Sequence, residues 1–267
     1  MMQTMKHKKL KYTYLGIVLL FLYVPILTLI VFSFNANRTM GRWGGFSLKW
    51  YTELFQDSVI MDALWVTLSI AIIAALCATI IGTLAAIGID GMKKKRQKAM
   101  ETIAYIPMLS PDIVTGISLM MLFLFAGIRL GYGTMLLAHI TFNLPYVIFS
   151  VLPKLRQLNP AHYEAALDLG AKPGYALRKI VLPQILPGIV TGFIFAFTLS
   201  IDDFVVSYFT SQDVSNLSMT IYSMTKKRVS PEINAISTLL FGAVLLLLII
   251  INVRESRQER LRERARA

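Results

Sequence analysis

The sequence predicts an all-α integral membrane protein with six transmembrane helices, and three observations carry that expectation. The mean hydropathy is +0.61 and 55% of the residues are apolar, well above the usual balance of a soluble domain. The charged residues, 16% of the chain, are bunched between long apolar runs instead of being spread through them. The density of basic residues alternates from one inter-run segment to the next. Together these exclude a disordered chain. They also argue against a soluble nucleic-acid binder, although the formal charge is +12 and the pI is near 9.8. The 267 residues read as one transmembrane domain.

Six apolar segments are long enough to cross a hydrocarbon core, which takes about 20 helical residues. They lie near Tyr12–Phe34, Asp62–Ile89, Thr102–Phe125, Thr134–Val151, Ile185–Phe209 and Ile233–Val253. The first follows the basic stretch Lys6–Lys11 and so resembles a signal peptide. It is longer than a signal core and no small-x-small site follows it, so it is expected to be retained. The second holds Cys77, the sole cysteine, which reads as a small packing residue. The third contains Pro107 and Pro111, which cannot both sit in an unbroken helix, so freed carbonyls are expected there. The fourth contains His139, which reads as hydrogen-bonded to a neighbouring helix. The fifth ends on Asp202-Asp203, and the sixth leads into a polar, mixed-charge tail, 254–267.

The basic residues sort the two sides of the bilayer. The N-terminal tail, Met92–Met100, the loop of about 154–184 and the C-terminal tail carry twenty of the 27 Lys and Arg residues, and the alternate loops carry seven. The positive-inside rule then places both termini in the cytoplasm. The net charge is thus mainly a topology signal, with lipid headgroups as its other partner.

Several chemistries lack their residues. One cysteine forms neither a disulfide framework nor a cysteine zinc site, and His7, His139 and His162 do not pair at metal-ligand spacing. There is no GxxxxGK[ST] loop to hold ATP. No HExxH, GxSG-type or paired-Asp protease motif lies in a span.

Two features point to function. The first is the cytoplasmic loop, where Glu164-Ala165-Ala166-Leu167-Asp168-Leu169-Gly170 is followed after nine residues by Ile180-Val181-Leu182-Pro183. Asn159-Pro160 is a helix start and Gly170 a helix stop, so a short surface helix with a small-residue side is expected. Such a helix can dock into a groove on another protein. The second feature is acidic residues within spans, which are costly there and mark pathways or buried pairs. Counted along a straight helix, Asp112 lies roughly 15 Å deep and Asp203 about 27 Å along its span. Ser200, Asp203 and Ser207 share a helical face, so Asp203 is the acid expected to face the lumen, with Asp202 as a contact or helix-pair residue. Acids suit a cationic cargo and would not suit phosphate or sulfate. Trp50 and Tyr51, in the first outer loop, offer ring faces to ammonium groups or form part of an interfacial aromatic belt.

The pattern EAA-x3-G-x9-I-x-L-P, from Glu164 to Pro183, resembles the EAA loop of ABC-importer permeases at every fixed position. Ser110–Val114, His139–Phe142, Phe197–Ser207, Ile221–Met224 and Val229–Ala235 look like the spermidine/putrescine branch, its second permease subunit, along nearly the whole chain. The resemblance implies a type I ABC-importer permease fold in a bacterial cytoplasmic membrane. It also implies a coupling helix at Glu164, Ala165, Ala166 and Gly170, continued by Ile180, Leu182 and Pro183, that sits in a cleft of a homodimeric ATPase. The other implied partners are a second, different permease and an extracytoplasmic polyamine-binding protein. ATP and Mg would be bound by the ATPase, leaving this chain without a cofactor. Transport would follow from rigid-body rocking of the spans when the ATPase dimer closes. Another small organic cation or a metal ion as cargo, and an ion-coupled carrier acting alone, stay open on the residues themselves.

Overall fold

The computed structural model describes residues 2–38, 42–227, 231–246 and 249. Apart from an isolated antiparallel bridge between Asn35 and Phe46, the regular structure described is helical. The helices are α1 (Met2–Ser33), α2 (Lys49–Gln56), α3 (Ser58–Asp90), α4 (Lys94–Leu109), α5 (Asp112–Phe125), α6 (Tyr132–Arg156), α7 (Pro160–Asp168), α8 (Pro173–Ala176), α9 (Leu182–Asp202), α10 (Val205–Thr210), α11 (Leu217–Lys227) and α12 (Pro231–Leu246). The chain divides into two compact units, one of Met1–Met61 with Ile221–Ala267, the other of Asp62–Thr220.

In the first unit, the most apolar part of Lys11–Ser33 in α1 has no buried residue, as suits a helix whose solvent is lipid, while Ser33 at its end is buried. The loop after it is held by polar contacts. Asn35 Oδ1 accepts from the Gly44 amide at 2.7 Å, Asn35 Nδ2 donates to the Arg42 carbonyl at 2.9 Å, and the buried Trp50 donates from Nε1 to the Asn35 carbonyl at 2.6 Å. Tyr51 shares a hydrogen bond with Ser33 at 2.7 Å and stacks on Phe34.

The second unit is built on close backbone approach. Between helices in lipid there is little hydrophobic drive, so small residues that allow dense packing take its place. Ala71, Ala74, Ala75, Ala78 and Ala86 of α3 are fully buried. A Cβ on Gly82 would stand 2.8 Å from Val147, one on Gly188 2.8 Å from the Ser150 carbonyl, and one on Gly192 3.1 Å from Val147 Cα. Gly188 and Gly192, four apart on α9, therefore let that helix lie directly on α6. Val147, Ile148, Val151, Leu152 and Ile185 fill the seam around them. Glu101 of α4 pairs with Arg156 at the end of α6.

Two predicted spans are broken. The segment expected at Thr102–Phe125 is α4 and α5, bent by 104° at Ser110-Pro111. Pro111 has no N–H to donate and forces the residue before it out of the helical region, and Ser110 is accordingly extended, with ψ 136°. The segment expected at Ile185–Phe209 begins earlier and ends sooner. It is helical from Pro173 through a π-turn at Leu177–Val181, where the Leu182 amide reaches back to Leu177, and α9 stops at Asp202. Pro183 supplies no amide for the next turn, and the wider π register accommodates that. Among the described residues four helices are long and apolar enough to span a membrane, or five if the bent pair counts as one. The six-span expectation is thus not reached there. α12 holds most of the described part of the sixth segment; residues 247, 248 and 250–253 and the tail 254–267 lie outside the described residues.

Candidate functional site

The second break builds the site. Asp203 is extended, with φ −63° and ψ 124°, and α10 begins two residues later. Its carboxylate turns back over the start of α10. One oxygen accepts from the Val206 amide at 3.2 Å, and the other accepts from the Ser207 amide and the Ser207 hydroxyl, both at 2.8 Å. This is an N-terminal capping arrangement, in which a side chain satisfies amides that have no partner in the helix. His139 Nε2 lies 3.4 Å from the same oxygen, and the Asp203 side chain is only 9% exposed. Asp203 therefore lies off the helical face on which periodicity groups it with Ser200, because the helix that would carry that periodicity ends one residue before it. His139 is fully buried and bonds Ser207 of α10 at 2.9 Å, as read from the sequence. Ser200 is also buried and accepts from Asn143 at 2.8 Å, so it faces a neighbouring helix.

Asp202 is the exposed member of the pair, and Asp112 is exposed as well. Asp112 is the first residue of α5, at the positive end of that helix's dipole. Its depth, counted along a straight span, no longer applies because the axis turns beneath it. The two acids are nonetheless brought together. α5 and α10 pack so closely that a Cβ on Gly116 would stand 3.1 Å from Phe209. A Cβ there would also stand 3.4 Å from the Val205 carbonyl, so the first turns of α5, which begins at Asp112, lie against the start of α10, three residues after Asp202. Two exposed carboxylates at helix breaks on packed elements attract cationic groups. Trp50 offers no open ring face, because it is buried and holds the loop after α1. Tyr51, half-buried, stacks on Phe34 in the same unit.

The loop that contains the EAA pattern is a second, separate feature. α7 begins where expected: Asn159 Oδ1 accepts from the Ala161 amide at 3.0 Å and Pro160 occupies the first turn. It ends in a paired turn in which the Gly170 amide donates to Leu167 and the Ala171 amide to Ala166. Gly170 has φ +84°, which glycine adopts without a steric cost. Glu164, Ala165 and Gly170 are exposed and Ala166 is half-buried, so α7 offers a low outer surface. Leu169, 89% exposed, stands at its end as an apolar projection. Ile180 is half-buried and, with Leu155, Leu158, Tyr163 and Leu177, lines a pocket of about 360 Å³ behind α7. Leu182 is half-buried and Pro183 exposed at the start of α9. These three support the loop from behind or continue it into the membrane helix.

Sequence reasoning missed Asn143, Leu169 and Asn216, whose amide donates to the Asp203 carbonyl at 2.7 Å. A lone Asn in an apolar run has no motif around it. Only Asn216, in a short polar link between apolar runs, had a local signal, as a helix start.

Residues 78–260 match the family described as the inner-membrane component of binding-protein-dependent transport systems. The chain belongs to that family of transport permeases. Among its relatives, the spermidine/putrescine transport system permease protein PotC of Haemophilus influenzae is 40% identical over 242 residues, which is 90% of this chain and 94% of that one. The putrescine transport system permease protein PotI of Escherichia coli K12 is 39% identical over 84% of this chain and 83% of its own length. A bacterial ABC transporter that imports the acidic polysaccharide alginate has the same fold, with a TM-score of 0.69 and 19% identity over 95% of this chain and 96% of the matched one.

Proposed function

We propose that this chain is a membrane permease subunit of an ATP-driven polyamine importer and forms part of the cation pathway with Asp112 and Asp202. The kinship to the polyamine permeases over nine-tenths of the chain supports the cargo. The observation that carries it at the level of residues is the pair of exposed carboxylates at two helix breaks, on elements where α5 packs directly on α10. An elongated polycation satisfies both acids with separate ammonium groups and leaves its methylenes against apolar walls. A single alkali cation satisfies only one.

Energy reaches the pathway through α7. Its capped ends make it a rigid element, and its low outer surface, with Leu169 beside it, fits a cleft on a separate cytoplasmic ATPase that binds ATP and Mg. α8, the π-turn and α9 form one helical rod from Pro173 to Asp202, so a displacement of the loop reaches the Asp202 break directly. A second, different permease completes the pathway, and an extracytoplasmic binding protein delivers the polyamine. Both termini face the cytoplasm.

Uptake of radiolabelled spermidine and putrescine by cells carrying the assembled importer tests this reading. Replacing Asp112 and Asp202 together by Asn should abolish saturable uptake at unchanged membrane levels. Affinity capture of the chain should retain an ATPase, and Glu164→Lys with Gly170→Val should release it. Uptake that survives both acid replacements, or transport without any ATPase, overturns it.

A further inference from the structure

The acids at the second break are adjacent in sequence but have opposite surroundings, and His139 on α6 and Asn216 just before α11 enforce the difference. Ser207 has one hydroxyl proton, which it donates to Asp203 Oδ2 at 2.8 Å. Its oxygen then has lone pairs to offer, and two nitrogens take them: Asn216 Nδ2 at 2.8 Å and His139 Nε2 at 2.9 Å. His139 Nε2 must therefore carry a proton, whatever the charge of the ring, since the hydroxyl proton is already used. The same Asn216 amide donates to the Asp203 main-chain carbonyl at 2.7 Å, and that carbonyl belongs to the residue at which α9 stops. Asn216 Oδ1 meanwhile accepts from the Met219 amide at 2.9 Å and so ties α11 to the break. The Ser218 hydroxyl donates to the Asp202 carbonyl at 3.3 Å. His139, Asn216 and Ser207 are all buried. His139 Nδ1 has no partner, so the hydrogen bonding of the ring goes through Nε2.

We infer that His139 and Asn216 are positioning residues for cation transport: they hold the interruption at Asp203 in place, and so present the Asp202 carboxylate, alone of the pair, to the pathway. The inference rests on the proposed cation pathway and adds to it two residues that touch no cargo. Without His139 Nε2 and Asn216 Nδ2, the Ser207 hydroxyl and the Asp203 carbonyl lose their donors. The chain from Asp202 to Val205 is then free to wind on as helix, which turns residue 202 by a fraction of a turn away from its place.

Two readouts separate positioning from simple support of the fold. The first does not depend on the cargo. In the assembled importer with Cys77→Ala and Asp202→Cys, the rate of modification by 2-aminoethyl methanethiosulfonate reports where position 202 points. Adding His139→Leu should slow it by about tenfold, the scale of one lost buried hydrogen bond, and Asn216→Ala should slow it similarly. The second readout is spermidine uptake with Asp202 intact. His139→Leu should raise the half-saturating concentration by about tenfold while maximal uptake per inserted protein stays within about twofold. His139→Gln, whose amide reaches the Nε2 position, should restore both readouts. His139→Asn, one methylene shorter, should not. Unchanged modification rates, or Gln and Asn variants that both behave like the parent, overturn the inference, as does a loss confined to membrane level or maximal uptake. Should the parent importer take up no polyamine at all, the functional proposal fails, while the modification rates still decide this one.

Discussion

Asp202 and Asp203 differ only in where the helix ends, so replacing each by Asn isolates that difference. At Asp203 the carboxylate accepts from two amides and a hydroxyl in a nearly dry setting. An Asn side chain keeps one acceptor. If that oxygen faces the Ser207 amide and hydroxyl, the new NH2 group meets the Val206 amide, donor against donor. One buried amide is left unsatisfied, at a cost of about 1–3 kcal/mol. The nearby His139 ring also loses the negative charge beside it. Asp202 is exposed, and its carboxylate meets its own main-chain amide instead of capping α10. Replacing it leaves the fold intact and removes attraction for an ammonium group, about 1 kcal/mol at 4 Å in water and ~4 kcal/mol at an effective dielectric near 20. Its exposure favours the lower half of that range, about 1–2 kcal/mol, or roughly 5- to 30-fold in half-saturating concentration. The assay pairs spermidine uptake kinetics with thermal stability of the purified importer in detergent. Asp202→Asn should shift the half-saturating concentration and leave the melting temperature alone. Asp203→Asn should lower the melting temperature and membrane level first. The opposite assignment would refute the reasoning from the break.

Gly188→Val places a Cβ 2.8 Å from the Ser150 carbonyl, a main-chain atom that cannot step aside, and should cost about 1–3 kcal/mol, seen as a lower melting temperature in detergent. Gly170→Val forces a branched residue to φ +84°, a penalty of about 1–2 kcal/mol confined to the end of α7; co-purification of the ATPase should weaken at unchanged membrane level. Asn159→Ala removes the cap at the other end of α7 and should weaken the same association through about 1 kcal/mol of lost helix stability. Trp50→Phe deletes the 2.6 Å bond to the Asn35 carbonyl and should make the loop after α1 more sensitive to protease, with half-saturating polyamine concentration unchanged.

The loop around α7 was legible almost residue by residue, because its signals are local. Asn159 caps through an amide two residues on, and Gly170 closes a turn with bonds that span four to six residues. The apolar stripes were legible for the same reason. The acid site was legible only as a list of candidates. Periodicity extended from Ser200 through Asp203 to Ser207 assumes one helix, and the helix stops at Asp202. Asp203 does meet Ser207, but as a cap and not as a neighbour on a pore-lining face. Trp50 drew attention as a ring face for ammonium groups or part of an aromatic belt, yet its ring is buried and its N–H bonds the carbonyl of Asn35, fifteen residues earlier.

By itself the sequence determined the membrane class, the charge asymmetry and a capped surface helix ending at Gly170. Each follows from hydropathy, charge density or hydrogen bonds within a single turn, which are properties of short stretches of chain. Only the tertiary structure decided which acid of the Asp202–Asp203 pair is free. That choice depends on donors from residues 139 and 216, which no local pattern connects to residue 203. A buried carboxylate needs partners wherever the fold can supply them, and those partners leave Asp202 as the charge that remains to be met from outside the chain.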